Sequence, residues 1–229
     1  MTTSGTTNFN PQLTDIIQEA YDRAGIVMRS GYEYRSARRS IDLMMQEWAN
    51  RGINMWTVEE GSQVLTPGVH TYELPSDTVD LIDHVIRTGA GSASTQADLT
   101  INRMSVSNYS TIPNKLSTGR PIRIYVDRQI TPRFTVWPVP DASQTYTLVY
   151  WRLRRIEDAG QPGTNTMDMP FRFVPALIAG LAYYLSMKVP GGLERVQLLK
   201  AQYDEAWDTA ATEDRDRAAV RFVPRSFRV

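Results

Sequence analysis

His70 and His84 are the side chains best suited to acid–base or metal chemistry near neutral pH, and both fall in strand-like segments. The chain has no cysteine, so a metal would have to draw on carboxylates beside them, and no His-x-x-x-His spacing occurs. Each histidine therefore reads as a neutral structural group. Carboxylate pairs come next, because glycoside cleavage needs only two carboxyls roughly 5 to 10 Å apart. Glu59 with Glu60, Asp77 with Asp80, and Asp80 with Asp83 are close enough along the chain to be considered. Adjacent strand residues point to opposite faces, which separates Glu59 from Glu60, and acids in loops and on outward strand faces serve mostly for solubility. A hydrolase built on such a pair in the strand-rich region is kept as the second reading. Gly89-Ala90-Gly91-Ser92 is the nearest approach to a phosphate-cradling loop or a nucleophile elbow, and it completes neither pattern. No catalytic residue, metal or cofactor is expected.

Basic runs interleaved with aromatic residues can bind nucleic acid. Arg35, Arg38 and Arg39 sit with Asp42 on a helix surface, and Arg152, Arg154 and Arg155 follow Tyr150 and Trp151 into Glu157 and Asp158. The neighbouring acids point to salt-bridged faces or subunit contacts. A ring threaded by DNA would use a few lumen-facing arginines for non-specific phosphate contacts. Across the chain 25 Lys and Arg balance 25 Asp and Glu, so no global field recruits nucleic acid or an acidic membrane. Met1 to Asn8 is polar and uncharged, unlike a signal peptide, which leads to the expectation of an intracellular product.

The elements that carry these residues divide by hydrophobic period. Residues 1–10 read as a loose arm. Leu13, Ile16, Ile17, Ala20, Tyr21 and Ala24 recur at helical spacing up to Gly25, and Tyr34, Ala37, Ile41, Met44, Met45 and Trp48 mark a second helix that stops at Asn50-Arg51-Gly52. From Met55 the period falls to two. Short strands are expected at Trp56 to Val58 and at Val64, parted by Glu60-Gly61-Ser62, then at Val69 to Leu74 after the turn Thr66-Pro67-Gly68. Further strands are expected at Val79 to Ile86, Leu99 to Ile101, Ile122 to Asp127, Arg133 to Trp137 and Thr145 to Arg154, with a helical turn near Ser105 to Tyr109. Regular turn signals over such a stretch imply an antiparallel sandwich or barrel.

Helical character returns with Phe173 to Met187, which carries no formal charge and is apolar almost all round. Arg172 and Lys188 bracket it, and a membrane span needs about 20 apolar residues, so burial among other helices is expected. Its small residues Ala176, Ala179, Gly180 and Ala182 allow close approach of a partner. A last helix presents Leu193, Val196, Leu199, Tyr203, Ala206, Trp207 and Ala210 on one face. The fold class expected is α+β: a helical bundle of residues 11–54 and 169–214, an inserted β domain over 55–168, and an extended tail over 215–229. In the tail Val220, Phe222, Phe227 and Val229 interleave with Arg221, Arg225 and Arg228, and Pro224 prevents a continuous helix. Too little of this stretch is apolar for it to fold alone; its character suits docking on another protein by adding a strand to a sheet edge, and a frayed terminus is the other reading.

Several pieces, taken in order, resemble the head-to-tail adaptor proteins of tailed bacteriophages, the family of the tail tubular protein A and tail accessory factor types. They are Glu47-Trp48 with Gly52 to Trp56, Leu65-Thr66-Pro67-Gly68 leading to Tyr72-Glu73-Leu74-Pro75, Gly119-Arg120-Pro121 with Tyr125, Trp137-Pro138-Val139-Pro140-Asp141, Tyr150-Trp151-Arg152, and the helix opening at Pro170. The resemblance implies a virion component at the head–tail junction, made in the host cytoplasm, forming a ring, usually twelve-fold, that fastens to the portal protein. The tail nozzle or tube would dock on it, DNA would pass through its channel, and no membrane would be involved. It also implies a portal-binding role for Arg217, Val220, Arg221, Phe222, Val223, Pro224, Arg225, Phe227, Arg228 and Val229. Phe173, Leu177, Ala179, Ala182 and Tyr184 on the apolar helix are the residues expected to pack subunits together.

Overall fold

A computed structural model describes residues 3–7, 9–29, 31–52, 55–160, 165–188 and 193–214. The chain is mixed α+β, with five α-helices and two four-stranded sheets among these residues. It forms two compact units, Met1–Met44 with Asp158–Val229, and Met45–Glu157.

In the first unit, helix α1 (Leu13–Ala24) begins where the Gln12 N–H donates to the Asp15 carboxylate at 3.1 Å, satisfying a donor that the helix leaves open. It stops at Gly25, whose φ of 71° lies in the left-handed region, and the Gly25 and Ile26 N–H groups donate back to Asp22 O and Tyr21 O, each at 3.0 Å. The α1 residues expected to face inward are all buried. Helix α2 (Gly31–Asn50) follows and runs on into the second unit. The first unit closes with the apolar helix and the last one, which are numbered below after the strands.

The second unit contains β1 (Val58–Leu65), β2 (Thr71–Glu73), β3 (Thr78–Thr88), β4 (Ala97–Thr100), β5 (Asn102–Met104), the short α3 (Val106–Ser110), β6 (Arg123–Asp127), β7 (Arg133–Trp137) and β8 (Tyr146–Arg154). The sheet orders are β1-β8-β3-β4 and β2-β7-β6-β5. Leu65, Leu81, Ile86, Tyr146 and Leu148 from the first sheet join Ile124, Val126, Phe134 and Val136 from the second in one buried apolar cluster. Each large side chain so buried contributes about 1.5–3 kcal/mol.

Several expectations for this region are corrected. Val58 and Val64 belong to one strand rather than two, because Gly61 is a strand residue and not a turn. The Tyr150 ring of the neighbouring β8 lies over it, so close that a Cβ there would meet the ring at 2.5 Å. Val69 lies outside the strands, and Trp56 sits in a 3₁₀ turn (Met55–Thr57). The strand expected at Leu99 to Ile101 is β4, which pairs with β3 and ends at Thr100; after the buried Ile101 the chain crosses to the other sheet as β5. That second sheet is also not wholly antiparallel, since β5 and β6 run parallel, joined by a connection long enough to hold α3.

The turns of the second unit are held by side chains. Tyr72 OH accepts from Thr66 N–H at 2.8 Å and reaches Val69 O at 2.9 Å, while its ring stacks on Phe134 at 5.1 Å. Trp137 Nε1 donates to Asn114 O at 3.0 Å ahead of a cis Trp137–Pro138 bond, and Asp141 accepts from Ser143 and from Tyr146 OH. β1 is paired with β8 along its whole length, with Val58 opposite Leu153, so the chain enters and leaves the sheets on neighbouring strands.

Candidate functional site

Helix α4 (Val174–Ser186) is the apolar helix singled out by its lack of charge. Pro170 precedes a 3₁₀ turn (Phe171–Phe173), and Pro175 occupies the first turn of α4, where a missing N–H leaves no bond unmade. Helix α1 packs on one side and α5 (Val196–Glu213) on another. Phe173 meets Trp207 of α5 edge to face at 5.6 Å, and Tyr183 stacks on Tyr203 at 6.3 Å. At Gly180 the approach is closest: a Cβ there would lie 2.5 Å from Met44 Sδ and 2.8 Å from the Tyr203 ring. The helix therefore buries most of its circumference within its own chain.

The five residues expected to pack subunits separate accordingly. Phe173, Leu177 and Ala182 are wholly buried in this chain, and Tyr184 is partly exposed. Ala179, at 4% exposure, lies at the floor of an open groove of about 580 Å³ between α4 and α5. Small or short side chains line it, Pro175, Ala179, Ala206, Thr209 and Ala210, with Arg23, Arg172, Glu205 and Glu213 at its margins. At one end Arg172 Nη2 donates to Asp214, whose carboxylate is only 2% exposed at the end of α5. That ion pair joins residues 42 apart in sequence, and no local pattern marks it. The tail residues Arg217, Val220, Arg221, Phe222, Val223, Pro224, Arg225, Phe227, Arg228 and Val229 lie outside the described residues.

Of the candidate carboxylates of the second unit, Glu59, Asp77 and Asp80 are paired with arginines, while Asp83 accepts from the His84 N–H at 2.8 Å. Arg152 donates to Asp77 at 2.6 Å, to Thr78 Oγ1 at 3.0 Å and to Glu59 at 2.8 Å, and Arg154 donates to Glu59 at 2.6 Å. Asp80 pairs with Arg103 at 2.6 Å and Arg128 at 3.5 Å. The Arg152 hydrogen bond holds the Asp77 carboxyl below its ordinary value, which is opposite to what a proton donor requires. These ion pairs of Arg152 and Arg154 tie β1 and β8 to the segment that enters β3. His84 is buried in β3 with neither ring nitrogen hydrogen-bonded among the described residues, and burial pushes its pKa below the usual imidazole value. Among the described residues no group of three or more His, Asp or Glu could hold a metal ion. None of the described helices is long and apolar enough to cross a membrane.

A floor of small side chains with charged margins can receive a helix or an extended segment. The sequence model of a family described as SU10 adaptor protein matches residues 11–225 of the chain. No curated protein matches it.

Proposed function

Because the chain belongs to the SU10 adaptor protein family, a family of phage head-to-tail adaptors, we propose that this structural component of the virion assembles as a ring, twelve-fold in the usual form, fixed to the portal protein. In this reading the nozzle or tube of the tail docks on the ring and DNA passes through it without sequence recognition. The helices of residues 11–54 and 169–214 act as a bundle that builds the ring, the sheets within 55–168 form a sandwich that projects from it, and residues 215–229 are the arm that reaches the portal.

The observation that carries the assembly reading is the α4–α5 groove. A ring requires a heterologous interface that closes on itself, and here an open depression with Ala179 at its floor adjoins a helix otherwise satisfied within the chain. The next copy in the ring is the occupant we assign to it. The sharpest probe is Ala206, which lines the groove and is only partly buried, so a charge there leaves folding intact. The Ala206→Glu variant is expected to remain folded and to lose ring formation on the portal, seen by electron microscopy; intact rings would overturn the assignment. For the arm, a chain ending at Asp214 is expected to fold normally and fail to attach to portal, whereas retained attachment would remove the portal from residues 215–229.

A further inference from the structure

The exposed side of α2 carries a cationic cleft that the groove reading does not use. Tyr32, Arg35, Ser36 and Arg39 enclose about 230 Å³ on the first turns of the helix. Neither arginine makes an ion pair among the described residues. A third cation is drawn to the same turns: Lys188, beyond the end of α4, donates from Nζ to Ser40 Oγ at 2.6 Å and to Ser36 O and Oγ at 3.3 Å each. All of its partners are neutral. Burial, and then the Arg39 guanidinium, push the lysine below its ordinary pKa, so the cations are close enough to repel each other. The acids nearest in sequence are turned to other work, Asp42 accepting from Ala159 N–H at 2.9 Å and Glu33 from the Arg29 N–H.

Three cations gathered without a counter-charge leave room for an anion supplied from outside. The N-terminal end of a long helix adds its own positive field, and two guanidinium forks with a hydroxyl match the oxygens of a phosphate. A protein segment would need an apolar anchor pocket beside the cations, and of the lining residues only Tyr32 offers apolar surface. We propose that Arg35, Arg39 and Lys188, with Ser36 and Tyr32, form a phosphate-binding cleft that takes the phosphodiester backbone of duplex DNA. The assignment deepens the reading that DNA passes through the assembled ring and gives that passage a fixed contact on every subunit.

The test uses the full chain labelled with nitrogen-15 and titrated at low salt with a short mixed-sequence DNA duplex. The Arg35 and Arg39 Nε–H signals are expected to shift and saturate. Affinity is expected to fall with salt at a logarithmic slope of about −2.7, three contacts at about −0.9 each. The double variant Arg35→Gln/Arg39→Gln, altered only at exposed positions, is expected to keep its fold and reduce the slope to about −0.9. Lys188→Met independently removes one further contact. Unmoved arginine signals, or unchanged affinity in the double variant, would overturn the proposal. So would polyglutamate binding the same residues as tightly as the duplex, which would transfer the cleft to an acidic protein segment. Ring formation is scored separately on the portal: rings lost with duplex binding kept would fault the assembly reading alone.

Discussion

Gly180 sets two general effects against each other. Replacing an interior helical glycine by alanine favours the helix by about 1 kcal/mol, so propensity alone predicts a more stable protein. The packing predicts the reverse. The new Cβ would stand 2.5 Å from Met44 Sδ and 2.8 and 2.9 Å from two carbons of the Tyr203 ring, and contacts that short force neighbours to move. Met44 and Tyr203 are themselves buried, at 0% and 2% exposure, and Tyr203 is stacked on Tyr183, so none of them has an empty direction to take. Overpacking of this kind costs about 1–3 kcal/mol; against the propensity gain, the net expectation is a loss of about 1 kcal/mol. With two compact units, unfolding need not be a single transition, so the measurement is local: hydrogen exchange of the α4 amides in the wild type and in Gly180→Ala. Exchange is expected to speed by about fivefold. The same substitution made in a Met44→Ala background is expected to cost less, because the obstructing sulfur is gone and only the Tyr203 ring still has to give way. Equal or slower exchange for Gly180→Ala alone would refute the close-packing argument.

Arg172→Ala strips the cation from a carboxylate that is 2% exposed; a loss of about 2–3 kcal/mol is expected by urea unfolding of the first unit, less than for a wholly buried pair because Arg172 is itself partly exposed. Tyr34→Phe removes a hydroxyl that is buried without a partner among the described residues, and a gain of about 1 kcal/mol is expected in the same assay. Since the folded pKa of His84 is pushed below the 6.5 of the free imidazole, its stabilisation is complete above pH 6.5 and is lost as pH falls from there through the folded value. His84→Leu is expected to flatten that part of a stability–pH profile of the second unit. Asp77, also depressed, acts lower: its contribution is present above 3.8 and drains away as pH falls through the folded pKa, and Asp77→Asn is expected to remove that acid limb.

Local signals carried the helices well. In α1 the apolar spacing from Leu13 to Ala24 and the terminator Gly25 were all readable in the sequence, because a helix is set by residues three and four apart and by its caps. The mixed α+β class followed from the change of period at Met55. What escaped was non-local. Gly61 has the composition of a turn, and only the Tyr150 ring across the sheet shows why a strand needs a glycine there. The crossing at Ile101 leaves no local mark, since one apolar residue between two short strands reads as a single strand. The groove has the same character. Ala179 was distinguishable as small, but that it lines a groove while Ala182 does not depends on where α5 runs. The cleft on α2 was visible as arginines, and its lack of acids was not, because Asp42, which stands near them in sequence, is occupied by Ala159.

The pairing of β1 with β8 has a consequence for how such proteins diversify. Val58 and Leu153 stand opposite one another, at the separation of about 5 Å usual between antiparallel partners, so everything between them is entered and left through one narrow doorway. A segment whose ends meet can be lengthened, shortened or exchanged by recombination while the flanking helices keep their own chain path. Selection on what the strands touch and selection on what the helices build can thus proceed on separate schedules. One lineage can replace the strands as a single cassette without redesigning the rest of the chain.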